Sequence, residues 1–265
     1  MPHRTTILAS AALAAVIAVA QGPLPAQAAT KSHHTTRSHP TKAIVVGTEG
    51  TYAPFDFHDA SNGLTGYDVA VFKAVAAKAG YAVKFEETNW DSLFAGLDAG
   101  RWAAIADEVT ITPARQAKYD FTTPYSVSHY VVVTRTGDNR VKAVADIKGL
   151  TAAQSATSSF ATQAQTYGAT VQTVDGFTQA VALLQLGRVD VTLNDQLAVL
   201  DYLKANRDAG IRIAATFGGP TLQGFVFRKH SGYAAAFDKA LTALERNGTI
   251  ARIGKQYFGH DISHA

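Results

Sequence analysis

The stretch Ala103-Ala-Ile-Ala-Asp107-Glu108-Val-Thr110-Ile-Thr-Pro-Ala-Arg115, continued by Lys118-Tyr-Asp-Phe-Thr-Thr-Pro-Tyr125, decides how the rest of this chain is read. Small apolar residues at Ala103–Ala106 form a buried strand that runs directly into two acids, a hydroxyl-bearing turn and an arginine at a helix start. Strands that alternate with helices build α/β sheets, whose ligands sit beyond the carboxyl ends of the strands. Arg115, fixed by the turn beside Thr110 and its backbone N–H, makes a carboxylate clamp. A guanidinium meets a carboxylate through two parallel hydrogen bonds, which an ammonium cannot copy. A surface salt bridge from Arg115 to Asp120 is the competing use of the same charge. The clamp suits a receptor for a small acid or amino acid better than it suits covalent catalysis.

Outward from this stretch, short β-rich runs alternate with helical ones. Ala43–Gly47 and Ala82–Phe85 read as strands, and Tyr67–Ala79 as a helix with Val69, Phe72, Val75, Ala76 and Ala79 at helical spacing. Asp91–Ala99 reads as a short helix with Asp91 as its N-cap. The β-branched run Tyr130–Thr134 closes a first half. A second series places strands at Thr151–Ala153, Val171–Val174, Val189–Leu193, Ile211–Ala215 and Phe225–Arg228. Its helices are Ser158–Thr166, Phe177–Leu186, Asp195–Ala205, Tyr233–Arg246 and Thr249–Tyr257. The alternation predicts parallel α/β sheets in two lobes with a ligand cleft between them.

Four strand ends then carry the candidate residues. After the first strand, Tyr52 offers a flat apolar face to a ligand, whereas Phe55 reads as core. Trp90 is either a second wall of the site or a core aromatic. After Ala103–Ala106 come Asp107, Glu108, Thr110 and Arg115. After Thr151–Ala153, Gln154-Ser-Ala-Thr157-Ser158 opens a helix with hydroxyls and free N–H groups, a setting for an anion and equally for ordinary N-capping. After Val189–Leu193, Asp195 either holds an ammonium or caps the next helix. Asn194 stands beside it.

Composition sets the address. The 265 residues are 47% hydrophobic and 17% charged, enough for one large or two small cores. Arg4, the apolar run Ile7 to Ala20 and Ala26-Gln27-Ala28 read as a cleavable export signal over residues 1–28, and Gly22, Pro23 and Pro25 break the run too early for a membrane span. Removing it takes away Arg4 and no acid, so the formal charge falls from +3 to +2. That balance points to neither nucleic acid nor a membrane surface. The chain has no cysteine, so neither a disulfide nor a lipid anchor on cysteine is expected, and the protein reads as soluble and periplasmic. Residues 29–42, with His33, His34 and His39 among Ser and Thr, read as a disordered polar leader rather than a metal site. His58 and His129 stand alone and read as surface or hinge residues. The chain lacks a P-loop, a Gly-x-Ser-x-Gly elbow, a Gly-x-Gly-x-x-Gly fingerprint and a His-Glu-x-x-His motif, so no cofactor, metal or catalytic residue is assigned.

From about Ala43 to Ser263 the sequence resembles the periplasmic amino-acid-binding receptors of ABC importers. The resemblance is carried by Val46-Gly-Thr-Glu-Gly-Thr-Tyr-Ala-Pro-Phe55, Leu64-Thr-Gly-Tyr-Asp-Val69, Thr110-Ile-Thr-Pro-Ala-Arg115, Tyr119-Asp-Phe-Thr-Thr-Pro-Tyr125, and Asn247-Gly-Thr-Ile with Gln256-Tyr-Phe-Gly259. It implies a two-lobed α/β fold joined by a two-strand hinge that closes on its ligand, with lobe 1 at 43–128 and 223–265 and lobe 2 at 129–222. It also implies that Arg115 grips an α-carboxylate with Thr110 and Thr157, and that Asp195 takes the α-ammonium. Tyr52 and Trp90 would pack on the ligand, with Gln154, Ser158 and the backbone at Glu108 completing the pocket. The partners implied are an amino acid and a membrane permease, with the receptor a monomer.

Within the family the likeness is greatest to cystine-binding receptors, which carry Asn-Gln-Val-Thr-Ile where this chain has Asp107-Glu108-Val-Thr-Ile. Two amides have become two acids. If either side chain reaches the side-chain end of the pocket, its charge favours a ligand with a second ammonium, such as cystine or a basic amino acid. Ala103 and Ala156 are further departures, standing where Asp and Gly are usual. Two other functions share the scaffold. One is an exported cyclohexadienyl or arogenate dehydratase with Glu108 as a buried general acid. The other is an amino-acid sensor without transport.

Overall fold

The computed structural model describes residues 42–264. The expected export signal, and all of the polar leader before Lys42 with its three histidines, lie outside the described residues.

The chain opens with β1 (Lys42–Thr48) and a small antiparallel sheet of β2 (Thr51–Tyr52), β3 (Asp56–His58) and β4 (Leu64–Thr65). Next come α1 (Tyr67–Ala79), β5 (Tyr81–Glu87), α2 (Trp90–Asp98), β6 (Ala104–Ile105), α3 (Pro113–Lys118) and β7 (Tyr119–Phe121). β8 (Ser126–Arg135), β9 (Thr151–Gln154), α4 (Ser159–Thr166), β10 (Thr170–Thr173) and α5 (Phe177–Gln185) follow. The remainder is β11 (Thr192–Asp195), α6 (Gln196–Ala205), β12 (Ile211–Gln223), β13 (Val226–Arg228), α7 (Tyr233–Arg246) and α8 (Thr249–Phe258).

One sheet has the order β5-β1-β6-β13-β7, and a second the order β11-β8-β12, with the β9–β10 pair joined to it by the bridge Ala152–Val191. The chain leaves the first sheet along β8 and returns along β12. These two long strands pair antiparallel from Arg135 opposite Ile211 to Ser126 opposite Gln223, with irregular register between Phe217 and Thr221.

The expectation of parallel sheets holds for β1 with β5 and β6 and for β9 with β10, and needs correction elsewhere. β11 and β12 run antiparallel to β8. β13, arriving straight from β12, inserts between β6 and β7 antiparallel to both.

Both sheets are covered on both faces, and the two-residue period of a strand shows it directly. In the first sheet Ile44, Val46, Ala104 and Phe227 face a core with Phe72 of α1 and Phe237 of α7, while Ile105 and Val226 face Leu93, Leu97 and Trp102. In the second, Val131 and Val133 face one core and Val132 the other. Each such fully buried Val, Leu, Ile or Phe side chain contributes about 1.5–3 kcal/mol. Trp102 fixes α2 against β1. Its indole N–H donates to the Leu93 carbonyl at 3.0 Å, and a Cβ at Gly96 or Gly47 would lie 2.0 or 2.7 Å from its ring.

α2 begins one residue earlier than expected. Asn89, not Asp91, is the N-cap, its side chain accepting from the Ser92 N–H at 3.1 Å. Asn89 has extended backbone, as a cap requires, and this releases the Asp91 carboxylate for another use.

Candidate functional site

A cavity opens beyond the strand ends, where the ligands of α/β sheets gather. The turn after β1 supplies Glu49, β2 supplies Tyr52, and the start of α2 supplies Trp90. The segment after β6 contributes Asp107, Glu108 and Thr110, and the segment from the end of β9 into α4 contributes Gln154 and Ser158. Seven of the ten expected site residues thus line one space. Arg115, Thr157 and Asp195 stand behind that lining.

Arg115 lies with its guanidinium carbon 5.2 Å from the Trp90 ring and 5.1 Å from the Phe94 ring, within cation–π range of both. Its N–H groups donate to the Thr110 carbonyl at 3.0 Å and the Thr157 carbonyl at 3.3 Å. Among the described residues no carboxylate pairs with it. Asp120, the competing partner, is taken by Lys229 at 3.3 Å. Burial lowers the Arg115 pKa to about 10, which still leaves it charged at neutral pH. A desolvated guanidinium without an acid is an anion receptor in waiting. Beside it, the Trp90 indole N–H is buried without an acceptor among the described residues.

Hydrogen bonds cross from the first sheet's loops to the second's. Asp91 accepts from the Thr157 N–H at 2.9 Å, the Thr157 hydroxyl at 2.7 Å and the Ala156 N–H at 3.2 Å. Tyr52 donates its hydroxyl to Asn194 at 2.7 Å. Thr157 therefore serves as the point gripped by Asp91 and Arg115. Ser158 caps α4, its hydroxyl accepting from the Ala161 N–H at 3.0 Å, and also faces the cavity.

Acids crowd the same cavity. Burial, aided by Asp107, raises the Glu49 pKa to about 9, and its carboxylate accepts from the Trp90 N–H at 3.3 Å. Burial holds Asp107 and Glu108 well above the usual carboxylate range, with Asp56 acting on the first and Asp68 on the second. Asp195 is buried and caps α6, accepting from the Leu197 and Ala198 N–H groups at 2.8 and 3.3 Å. Burial raises its pKa to about 6. Asn194, its neighbour, is the residue that lines the cavity.

The sequence reading missed Glu49 and the apolar side made by Val174, Gly176 and Phe177. Both were within reach of the strand-end rule. Glu49 directly follows β1 and Val174 directly follows β10. His58 sits at the surface, 2.8 Å from Glu87. Among the described residues no cluster of His, Asp or Glu has metal-holding geometry, and no helix is long and apolar enough to cross a membrane.

The profile of the bacterial extracellular solute-binding proteins, family 3, matches residues 44–260. The chain is 45% identical over 228 residues to a probable amino-acid ABC transporter-binding protein of Haemophilus influenzae, covering 86% of this chain and 89% of that one. It is 46% identical over 222 residues to the L-cystine-binding protein TcyA of Bacillus subtilis, covering 83% and 82%. Among solved structures, the L-cystine solute receptor of Neisseria gonorrhoeae in an unliganded open conformation is 45% identical, covers 85% of this chain and 97% of its own, and superposes with a TM-score of 0.57. An ancestral arginine-binding protein bound to arginine is 30% identical, covers 83% and 100%, and reaches 0.78. The less similar sequence superposes better. These relatives are binding proteins, not enzymes.

Proposed function

The chain belongs to the bacterial extracellular solute-binding proteins, family 3, and from that premise we propose that it captures an amino acid with a second ammonium group and delivers it to the membrane permease of an ABC importer. Cystine and the basic amino acids are the favoured ligands. The observation that carries this reading is a guanidinium, Arg115, that no acid pairs with among the described residues, together with the Glu49 carboxyl on the cavity lining, which a ligand ammonium can ionise. A zwitterion with a distal cation complements both. The names of TcyA and the gonococcal receptor support cystine.

In this reading Arg115, Thr110 and the Ser158 turn hold the α-carboxylate, and Asp195 with Asn194 holds the α-ammonium. Tyr52 and Trp90 enclose the ligand, and Glu49 meets the distal ammonium. Residues 43–128 and 223–265 act as one lobe and 129–222 as the other, with β8 and β12 as the hinge. The working protein is an exported monomer, released from its signal near Ala28. A dehydratase is disfavoured because the Glu108 carboxyl is already engaged by the Ser126 hydroxyl at 3.0 Å.

A thermal-shift screen of the amino acids and cystine tests the proposal, since a ligand that binds only the folded protein raises its melting temperature. Cystine, lysine or arginine should give the largest shift. The Arg115→Ala variant should lose about 2–5 kcal/mol of binding. Strongest binding of glutamate or aspartate, or undiminished affinity in that variant, refutes the assignment.

A further inference from the structure

Behind the cavity wall, two pairs of carboxyl groups face one another with too few donors. Asp107 accepts from the Glu49 N–H at 3.2 Å, and Asp56 from the Gly50 N–H at 2.6 Å. Each of these contacts uses Oδ1. Both Oδ2 atoms are buried without a donor, and the adjacent N–H groups of Glu49 and Gly50 bring the two carboxyls together. The second pair has one orphan. Asp68 Oδ2 accepts from the Tyr125 hydroxyl at 2.7 Å and from the Glu108 N–H, which sets the Asp68 carboxyl against Glu108. Asp68 Oδ1 has no donor, while the Glu108 carboxyl accepts from the Ser126 hydroxyl at 3.0 Å.

Among the described residues no Lys, Arg or His pairs with any of the four. Ionised carboxylates are acceptors only, and buried acceptors are almost always satisfied. Two orphan acceptors in contact are reconciled by a proton between them. The remaining groups around the pairs are Glu49 from the β1–β2 turn, Tyr52 from β2, Tyr67 from α1 and Asp195 at the end of β11, none of them cationic. Glu108 also has a φ of 46°, a left-handed conformation that a residue with a side chain rarely adopts unless its surroundings hold it there.

We propose that Asp107 and Glu108 are positioning residues that work uncharged: each keeps a proton and donates it to the facing carboxylate, Asp56 or Asp68. Each pair then holds one proton and one negative charge. These two bonds hold the Asp107–Glu108 turn, which forms a wall of the cavity. Asp107 and Glu108 then do not supply the negative charge that the sequence suggested, and the distal ammonium is left to Glu49. The effect on ligand recognition rests on the proposed function, whereas the shared protons do not.

The sign of the pH dependence follows. Acids whose folded-state pKa is raised bind more protons folded than unfolded, so stability is fullest below the unfolded value and falls as pH rises toward the folded one. A primary amide donates the same bond with no proton to lose. Thermal unfolding of the ligand-free protein at about pH 5 and about pH 8, and infrared spectra for the carbonyl band of a neutral carboxylic acid, test this directly. The comparison uses wild type, Asp107→Asn/Glu108→Gln and Asp107→Leu/Glu108→Met.

Wild type should lose melting temperature toward the higher pH and show the neutral-acid band at neutral pH. The amide variant should lose less than half as much and lack most of that band. The apolar variant should be the least stable at the higher pH, because Asp56 and Asp68 are left unpartnered. An equal fall in wild type and amide variant, or no neutral-acid band in wild type, overturns the proposal. Apolar and amide variants of equal stability overturn it as well. Because all readouts are ligand-free, failure to bind any amino acid would count against the proposed function alone.

Discussion

Asp91 offers the sharpest test of how the cavity is closed. Its carboxylate accepts three hydrogen bonds, two from the N–H groups of Ala156 and Thr157 and one from the Thr157 hydroxyl, at 2.7–3.2 Å. In the proposed lobe division these bonds run from lobe 1 to lobe 2, so they exist only when the lobes meet. Contacts made in one state alone are what shift an equilibrium between two. The pair is partly exposed, so each bond is placed at the low end of the net range, about 0.5 kcal/mol, and the three sum to about 1.5 kcal/mol. Asp91→Ala should therefore weaken ligand binding about tenfold.

The loss should appear in dissociation rather than association, because ligand docks before the latch forms. Calorimetry with the amino acid that gives the largest thermal shift measures the affinity. Stopped-flow fluorescence measures the rates, with Trp90 as the reporter at the cavity, since Trp102 is only 2% exposed in the core. Removing a first-turn acid also costs α2 about 0.3–1 kcal/mol, so the melting temperature of the ligand-free variant is recorded separately. Asp91→Asn keeps one acceptor oxygen and should recover part of the affinity. An alanine variant with wild-type affinity and dissociation rate refutes the latch, and so does a loss confined to the association rate.

Glu49→Gln should weaken binding of cystine or lysine more than that of an amino acid lacking a distal ammonium. With the wild-type pKa near 9 in the empty cavity, a ligand ammonium draws off the Glu49 proton, so affinity for such a ligand rises with pH below that value and the glutamine variant flattens the rise. Calorimetry in buffers of different ionisation enthalpy reads the released proton. Gly96→Ala places a methyl where Trp102 lies 2.0 Å away and should destabilise the fold by about 1–3 kcal/mol in denaturant titration, while Gly96→Ala with Trp102→Leu regains part of it. Asp195→Asn retains an oxygen to cap α6, so its melting temperature should stay near wild type while ligand affinity falls at least tenfold by calorimetry. Affinity equal to wild type would move the ammonium to Asn194 and Tyr52.

The limits of sequence reading follow from how each feature announces itself. α1 and α7 are found with the bounds that periodicity gives them, because an amphipathic helix repeats its signal over several turns. The sheet of β2, β3 and β4 has strands of two or three residues, too short to show alternation, and was not anticipated. The residues of β13 carry no mark of its antiparallel direction, because direction depends on how the chain enters a strand rather than on its own residues. At the site, the rule that ligands gather at strand ends points to Tyr52, Thr110 and Gln154, which line the cavity. Applied to every strand, it reaches Glu49 and Val174 as well. The pairing of Asp107 with Asp56 and of Glu108 with Asp68 lies beyond any such rule. Their partners come from β3 and α1, 51 and 40 positions away in the sequence, so only folding shows that each added acid faces another acid. A substitution that reads as added charge along the chain becomes, once buried opposite a carboxylate, a place to keep a proton.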